Sequence, residues 1–176
     1  MKKIINIIDK TSLCGALFAS VVILATIFMM LTEIILRAGF SSTTHFANEY
    51  SGYASALIAF MGLGYTLSVK GHVRMTLLFK VISGKTEIIW NIIIHLVGLI
   101  VSGHLVFLTW NHFHASVVSR TVSIQITQTP LAIPQFFLVL GTAVLTLQFV
   151  AEICKLILKL KGDEDVKIVK EPSSTT

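Results

Sequence analysis

Cysteine is almost absent from this sequence. The two present, Cys14 and Cys154, form no CxxC and have no second cysteine close by, so there is no sequence basis for redox or thiolate zinc chemistry. Cys14 is also no lipidation site, because Thr11 stands where a lipoprotein signal has an apolar residue. Proline is rare, at three residues, and charged residues make up only 13% of the chain. No Walker sequence, nucleophile elbow or HExxH occurs, so no pattern proposes an active site. What remains is apolar: 54% hydrophobic residues and a mean hydropathy of +0.82 exceed what one soluble core can hide.

The apolar residues fall in four runs, roughly 13–35, 50–69, 88–110 and 133–158. Each approaches the about 20 residues that a helix needs to cross a hydrocarbon core about 30 Å thick. The sequence therefore predicts an all-α integral membrane protein with a four-helix domain over 1–160 and a polar tail over 161–176. The first run has the basic flank of a signal peptide but is much longer than a signal core of about 7 to 15 residues, and is read as an uncleaved span.

The net charge of +5 points to topology rather than to nucleic acid. Twelve of the fourteen basic residues precede run one, separate runs two and three, or lie at the end of run four and beyond; only Arg37 and Arg120 lie on the other side. The positive-inside rule then puts both termini and the middle connection in the cytoplasm. That connection contains "VKGHVRMTLLFK", residues 69–80, too charged to cross a bilayer. On a helical wheel His72, Thr76, Lys80 and Ser83 share one narrow sector while apolar side chains cover most of the rest, which predicts a short interfacial amphipathic helix over 72–83 with its apolar face in lipid or against protein. Arg74 projects from its apolar side, either snorkelling to phosphates or meeting a partner on another helix or subunit.

Polar residues within the runs need a reason to be there. Glu33 and Arg37 are spaced for a helical ion pair in the favourable order. Gly141, Gln148, Glu152 and Lys155 fall within about 60° on a wheel, a stripe expected to face protein, with Glu152 able to pair with Lys155 one turn on. Run two repeats small residues at every fourth position, Ser51, Ser55 and Ala59 beside Gly52 and Ala56, and Gly98 and Ser102 do the same on run three. Such spacing lets helix backbones approach closely. Asn48 is expected to cap the helix of run two, with Glu49 in its first turn, and Pro134 to sit in the first turn of run four. After Trp110 a long outside connection with an alternating β-branched centre is expected. His95 and His104 share run three, and no other run has a central histidine to complete a haem ligand pair. His112 and His114, at i and i+2, point to different sides of a helix. All four are read as hydrogen-bonding or interfacial, and no cofactor is expected.

Residues 48–79, "NEYSGYASALIAFMGLGYTLSVKGHVRMTLLF", resemble the most characteristic segment of the small membrane subunit of TRAP transporters, the tripartite ATP-independent periplasmic transporters of DctQ type. The family pattern has an acid opening span two, a glycine-rich end, and then a histidine with an apolar and a basic neighbour. Here these are Glu49, Gly62, Gly64, His72, Val73 and Arg74. "SIQITQTPLAIPQFFLVLG", residues 123–141, is similar to the family's lead into span four, with Thr129, Pro130, Leu131 and Pro134 in place. Many relatives have an aromatic residue where Ala132 stands and two acids where this chain has Asn48 and Glu49.

The resemblance implies a component of an ion-gradient-driven uptake system. In the family a periplasmic binding protein delivers an organic anion, such as a C4-dicarboxylate or sialic acid, to a large elevator-type subunit. The small subunit packs on that subunit's static scaffold. Residues expected at the subunit interface are Arg74, Gln148, Glu152, Gly52, Ser55 and Ala59; His45 and Arg120, in the outside loops, are available to the binding protein. Two further readings stand beside this one. An autonomous dimeric carrier would need Glu33 or Glu152 as coupling acid, and a membrane redox or haem protein would need cysteine pairs or facing histidines.

Overall fold

A computed structural model describes residues 2–69 and 85–160 of the chain. They form four helices: α1 (Lys2–Phe40), α2 (Ala47–Ser68), α3 (Lys85–Val118) and α4 (Ala132–Leu160). Each apolar run lies within a helix except for Val69, the C-cap of α2. A helix satisfies its own backbone hydrogen bonds, which apolar surroundings demand. The interfacial helix expected over 72–83, with His72, Val73 and Arg74, lies outside the described residues, as does the 161–176 tail.

Among the described residues three stretches are long and apolar enough to cross a membrane: Ile4–Phe40, Ile88–Val118 and Ala132–Leu158. α2 has 22 residues, about 33 Å at 1.5 Å per residue. It is not among the three because glycine, serine, tyrosine and Glu49 dilute its apolar content.

Two helices run at least two turns past one end of their apolar runs. α1 begins at Lys2 rather than near Leu13, and α3 continues two turns past Trp110 to Val118. Helical hydrogen bonding persists where apolar content stops, since α3's extension "NHFHASVV" contains no glycine or proline to interrupt it. α3 ends in a Schellman arrangement. Arg120 takes a left-handed φ of 47°, its N–H reaches Val117 O at 3.4 Å and Thr121 N–H reaches Ser116 O at 3.1 Å. The expected extended centre of the loop reduces to one antiparallel bridge between Val122 and Pro130. Pro134 does sit in α4's first turn. Asn48 does not cap α2. The helix begins one residue before it, Phe46 is the N-cap, and no side chain caps the end, so Asn48 is already inside the first turn.

α4 is the central helix: it packs on the other three, α1 also packs on α2, and α3 packs chiefly on α4. The burial pattern is the reverse of that of a water-soluble bundle. The largest fully buried side chains are Gln148, Thr142, Ser12 and Ser102, whereas Leu17, Val21, Leu24 and Phe28 on α1 and Val97, Ile100 and Phe107 on α3 are exposed. Large apolar side chains outside and small or polar ones inside suit a bilayer, where helices associate through close packing and hydrogen bonds rather than through exclusion of water.

Glycines set the closest approaches. A Cβ at Gly141 would lie 2.8 Å from the backbone carbon of Phe60 on α2, and one at Gly15 would lie 3.0 Å from Met61 O. Gly64 meets Val144 and Ser12, and Gly98 takes the ring of Phe149.

Candidate functional site

The end of the bundle carrying the α1–α2 and α3–α4 connections has two buried carboxylates. Glu33, near the end of α1, accepts from Arg37 Nε at 2.6 Å, Thr43 Oγ1 at 2.5 Å and Thr44 N at 3.0 Å, and also from the Thr44 hydroxyl. The spacing of Glu33 and Arg37 foretold the ion pair, but not the two threonines that fold the following loop back over the acid. Glu49, in α2's first turn, accepts from Tyr53 OH at 2.8 Å and from the Thr127 hydroxyl. Thr129 Oγ1 also contacts Tyr50 OH at 3.4 Å. The α3–α4 loop is thereby drawn across α4's start and pinned on the head of α2.

A second network joins α1 to α4 near the opposite end. Ser12 Oγ donates to Gln148 Oε1 at 2.7 Å, and Gln148 Nε2 donates to Asp9 Oδ1 at 2.8 Å. Lys155 Nζ bridges Asp9 Oδ1 at 2.9 Å and Glu152 Oε1 at 2.7 Å. The stripe of Gly141, Gln148, Glu152 and Lys155 does face protein, and that protein is α1 and α2 of the same chain. Gln148 and Glu152 thus have their polarity accounted for without a second subunit. Asp9 and Ser12 were missed in the sequence. Asp9 was hidden in a basic flank, where its acid sign beside Lys10 was the available signal.

The small residues of run two divide into used and unused positions. Gly64 is buried between α1 and α4, whereas Gly52, Ser55 and Ala59 are exposed, and a Cβ at Gly52 or Gly62 would meet nothing within 4 Å. With Asn48 and Thr66 they form a continuous stripe along the side of α2 turned away from Glu49, Gly64 and Leu67, three of its four buried residues. On α3, Gly98 and Ser102 do pack, against α4.

His45 and Arg120 sit in the two connections at the same end, both exposed, with left-handed φ of 62° and 47°. His95 is buried, its Nδ1 2.6 Å from Asn91 O and its ring edge-on to Phe149. His104, His112 and His114 are exposed. Among the described residues no three of His, Cys, Asp and Glu gather where a metal ion would be held. Glu33, Glu49 and Asp9 each join one segment to another, and Glu152 holds Lys155, which reaches across to Asp9.

Fold and networks together define a multi-helix membrane component built from packing faces and interhelical staples. The family described as "Tripartite ATP-independent periplasmic transporters, DctQ component" matches residues 26–159, and the chain belongs to that family. This is the small membrane component of TRAP transporters and is not an enzyme family. Membership carries association with a large TRAP subunit and a binding protein, and a place as a multi-pass inner-membrane protein. No curated protein and no solved structure matches the chain. The matched region starts at residue 26, so Asp9 and Ser12 lie before it while Gln148, Glu152 and Lys155 lie within it.

Proposed function

We propose that this chain is the static scaffold subunit of a TRAP transporter, with all four helices crossing the inner membrane and both termini in the cytoplasm. It braces a large elevator-type subunit that takes up an organic anion, a carboxylate such as a C4-dicarboxylate or sialic acid, driven by a sodium or other ion gradient. The observation that carries this reading is the open stripe of α2. Lipid is a poor neighbour for a helix face made of Asn48, Gly52, Ser55, Ala59 and Gly62, since it offers few large apolar side chains to acyl chains. A second helix backbone is a good one. On this reading the large subunit packs on Gly52, Ser55 and Ala59, while the 72–83 segment with Arg74 braces the complex from the cytoplasmic interface.

The staples support a scaffold over an autonomous carrier. A coupling acid must be free to exchange its ion, yet Glu33 is engaged by Arg37, Thr43 and Thr44, and Glu152 by Lys155.

Ala59→Trp and Ser55→Trp place a large ring on the open stripe without entering this chain's own packing. Each is expected to lower co-purification of the large subunit about tenfold or more, while the variant itself inserts and elutes as a single species. Undiminished stoichiometric recovery of the large subunit with both variants would remove α2 from the interface.

A further inference from the structure

α3 packs chiefly on α4. It turns His95, Gly98 and Thr109 to that neighbour, where they meet Phe149 and Thr142. The opposite side of α3 is exposed, and it carries a polar residue at membrane depth, His104. Measured to Trp110, His104 lies six residues inside the apolar run, about 9 Å at 1.5 Å per residue. Measured to the ends of the apolar span, Ile88 and Val118, it lies deeper still. An imidazole is too short to reach either headgroup layer from there. Nor does any hydrogen bond reach it among the described residues. His95 differs, since its Nδ1 is 2.6 Å from the Asn91 carbonyl oxygen of its own helix. Ionisable side chains at this depth are costly in lipid and face protein or water.

The residues around His104 have a second regularity. Ile93, Val97, Ile100, His104, Phe107 and Asn111 recur at alternating steps of four and three, and all six are exposed. That is the 3.5-residue repeat by which two helices wind about each other in a left-handed pair. His104 and Asn111 occupy one and the same position of this repeat, in successive turns of it. A polar residue at such a position fixes the register and the number of strands.

We propose that this face of α3 pairs in the membrane with the same face of a second copy of the chain, His104 opposite His104 and Asn111 opposite Asn111. Self-complementarity favours a second copy. Both copies insert with one topology, so their α3 helices run parallel, and a two-fold axis along the membrane normal brings each seam residue to the level of its counterpart. A neutral imidazole has one donor and one acceptor, and a carboxamide has both. Each therefore supplies the hydrogen bond that its counterpart lacks, whereas a helix of the large subunit would need matching polar groups at the same two depths. The pairing goes beyond the scaffold reading: taken together, they give two small subunits joined through α3, each with its large subunit on α2.

The test uses the full chain, co-expressed with its large subunit and kept in native membranes. In a chain carrying Cys14→Ser and Cys154→Ser, the variants Ile100→Cys and Phe107→Cys place a thiol on the seam. Ile94→Cys and Trp110→Cys, also exposed, place one about 100° round the helix from it. On oxidation, disulfide-linked homodimer is expected at the two seam positions at about tenfold or more the yield of the other two. Independently, the dimer fraction of the fluorescently tagged complex with its native cysteines is counted by photobleaching steps on dilution into lipid vesicles. His104→Leu is expected to weaken pairing about threefold to tenfold, the effect of one interhelical hydrogen bond in a membrane. His104→Asn, which can still bond to its own copy, should weaken it less.

Equal yields on and off the seam overturn the proposal, as does His104→Leu that pairs as well as wild type. So does capture of the large subunit, rather than a second copy, by Ile100→p-benzoylphenylalanine on irradiation, because that would make the large subunit the occupant of α3. Failure of the wild-type chain to retain a large subunit would instead overturn the scaffold reading, with the α3 pairing judged by the same crosslinks.

Discussion

Lys155→Met is expected to loosen α1 from α4 and to lower the thermal stability of the complex in mild detergent by the equivalent of roughly 3 kcal/mol, the low end for breaking a buried ion pair by removing one partner. The low end applies because Asp9 keeps about one-third of its side chain exposed and is partly screened, whereas Glu152 is almost fully covered. Without the ammonium, the two carboxylates keep only a neutral amide between them: Gln148 Nε2 lies 2.8 Å from Asp9 and 3.5 Å from Glu152. The cost is therefore a charge left in apolar surroundings rather than a lost attraction. It should be reversible by chemistry: Lys155→Met combined with Glu152→Gln and Asp9→Asn removes the unpaired charges and should recover most of the midpoint. If Lys155→Met alone melts like wild type, the cluster does not hold α1 to α4.

That cluster also marks where sequence reading stops. The stripe of Gly141, Gln148, Glu152 and Lys155 was legible because residues at such spacing share a face of any helix. Its neighbour was not, because a wheel describes one helix at a time. Asp9 and Ser12 lie 139 and 136 positions from Gln148, and apart from the acid sign of Asp9 in a basic flank nothing local points to their partner. The link from Glu49 to Thr127 spans 78 positions and was invisible for the same reason. Local pairs such as Glu33 with Arg37 were readable because four residues of helix fix the distance before any tertiary contact exists. Helices α1 and α3 run past their apolar stretches to Lys2 and Val118, because hydropathy marks the part of a helix that suits lipid and not where its backbone hydrogen bonding ends. The small-residue pattern found the right device in α2 but could not divide it. Gly64 faces inward against α1 and α4, while Gly52 and Ala59 face out.

The glycine contacts separate two kinds of close approach, and substitution should tell them apart. Gly→Ala in a helix gains up to about 1 kcal/mol of propensity, so any loss must come from the space the methyl enters. At Gly141 the new Cβ would lie 2.8–2.9 Å from the backbone carbon, the carbonyl oxygen and the Cβ of Phe60. None of these can swing aside without moving α2. Gly141→Ala should therefore force α2 and α4 apart, destabilising by about 1 to 3 kcal/mol as overpacking does, and Phe60→Ala should not rescue it because all three obstructing atoms remain. At Gly98 the obstruction is three carbons of the Phe149 ring. Gly98→Ala should lower the midpoint comparably, but here Phe149→Leu, which removes the ring, should restore much of the loss. Gly52→Ala, with nothing within 4 Å, is the matched control and should leave this chain's stability unchanged or slightly raised. Thermal unfolding of the five variants in one detergent measures all of this. Rescue of Gly141→Ala by Phe60→Ala, or none of Gly98→Ala by Phe149→Leu, would mean that the α2–α4 and α3–α4 contacts are not set by backbone and ring respectively. Because α4 is central, a shift at Gly141 also displaces the head of α2, where Glu49 holds the α3–α4 loop. Gly141→Ala should therefore loosen residues 121–130 in amide exchange, while Gly98→Ala rescued by Phe149→Leu should not.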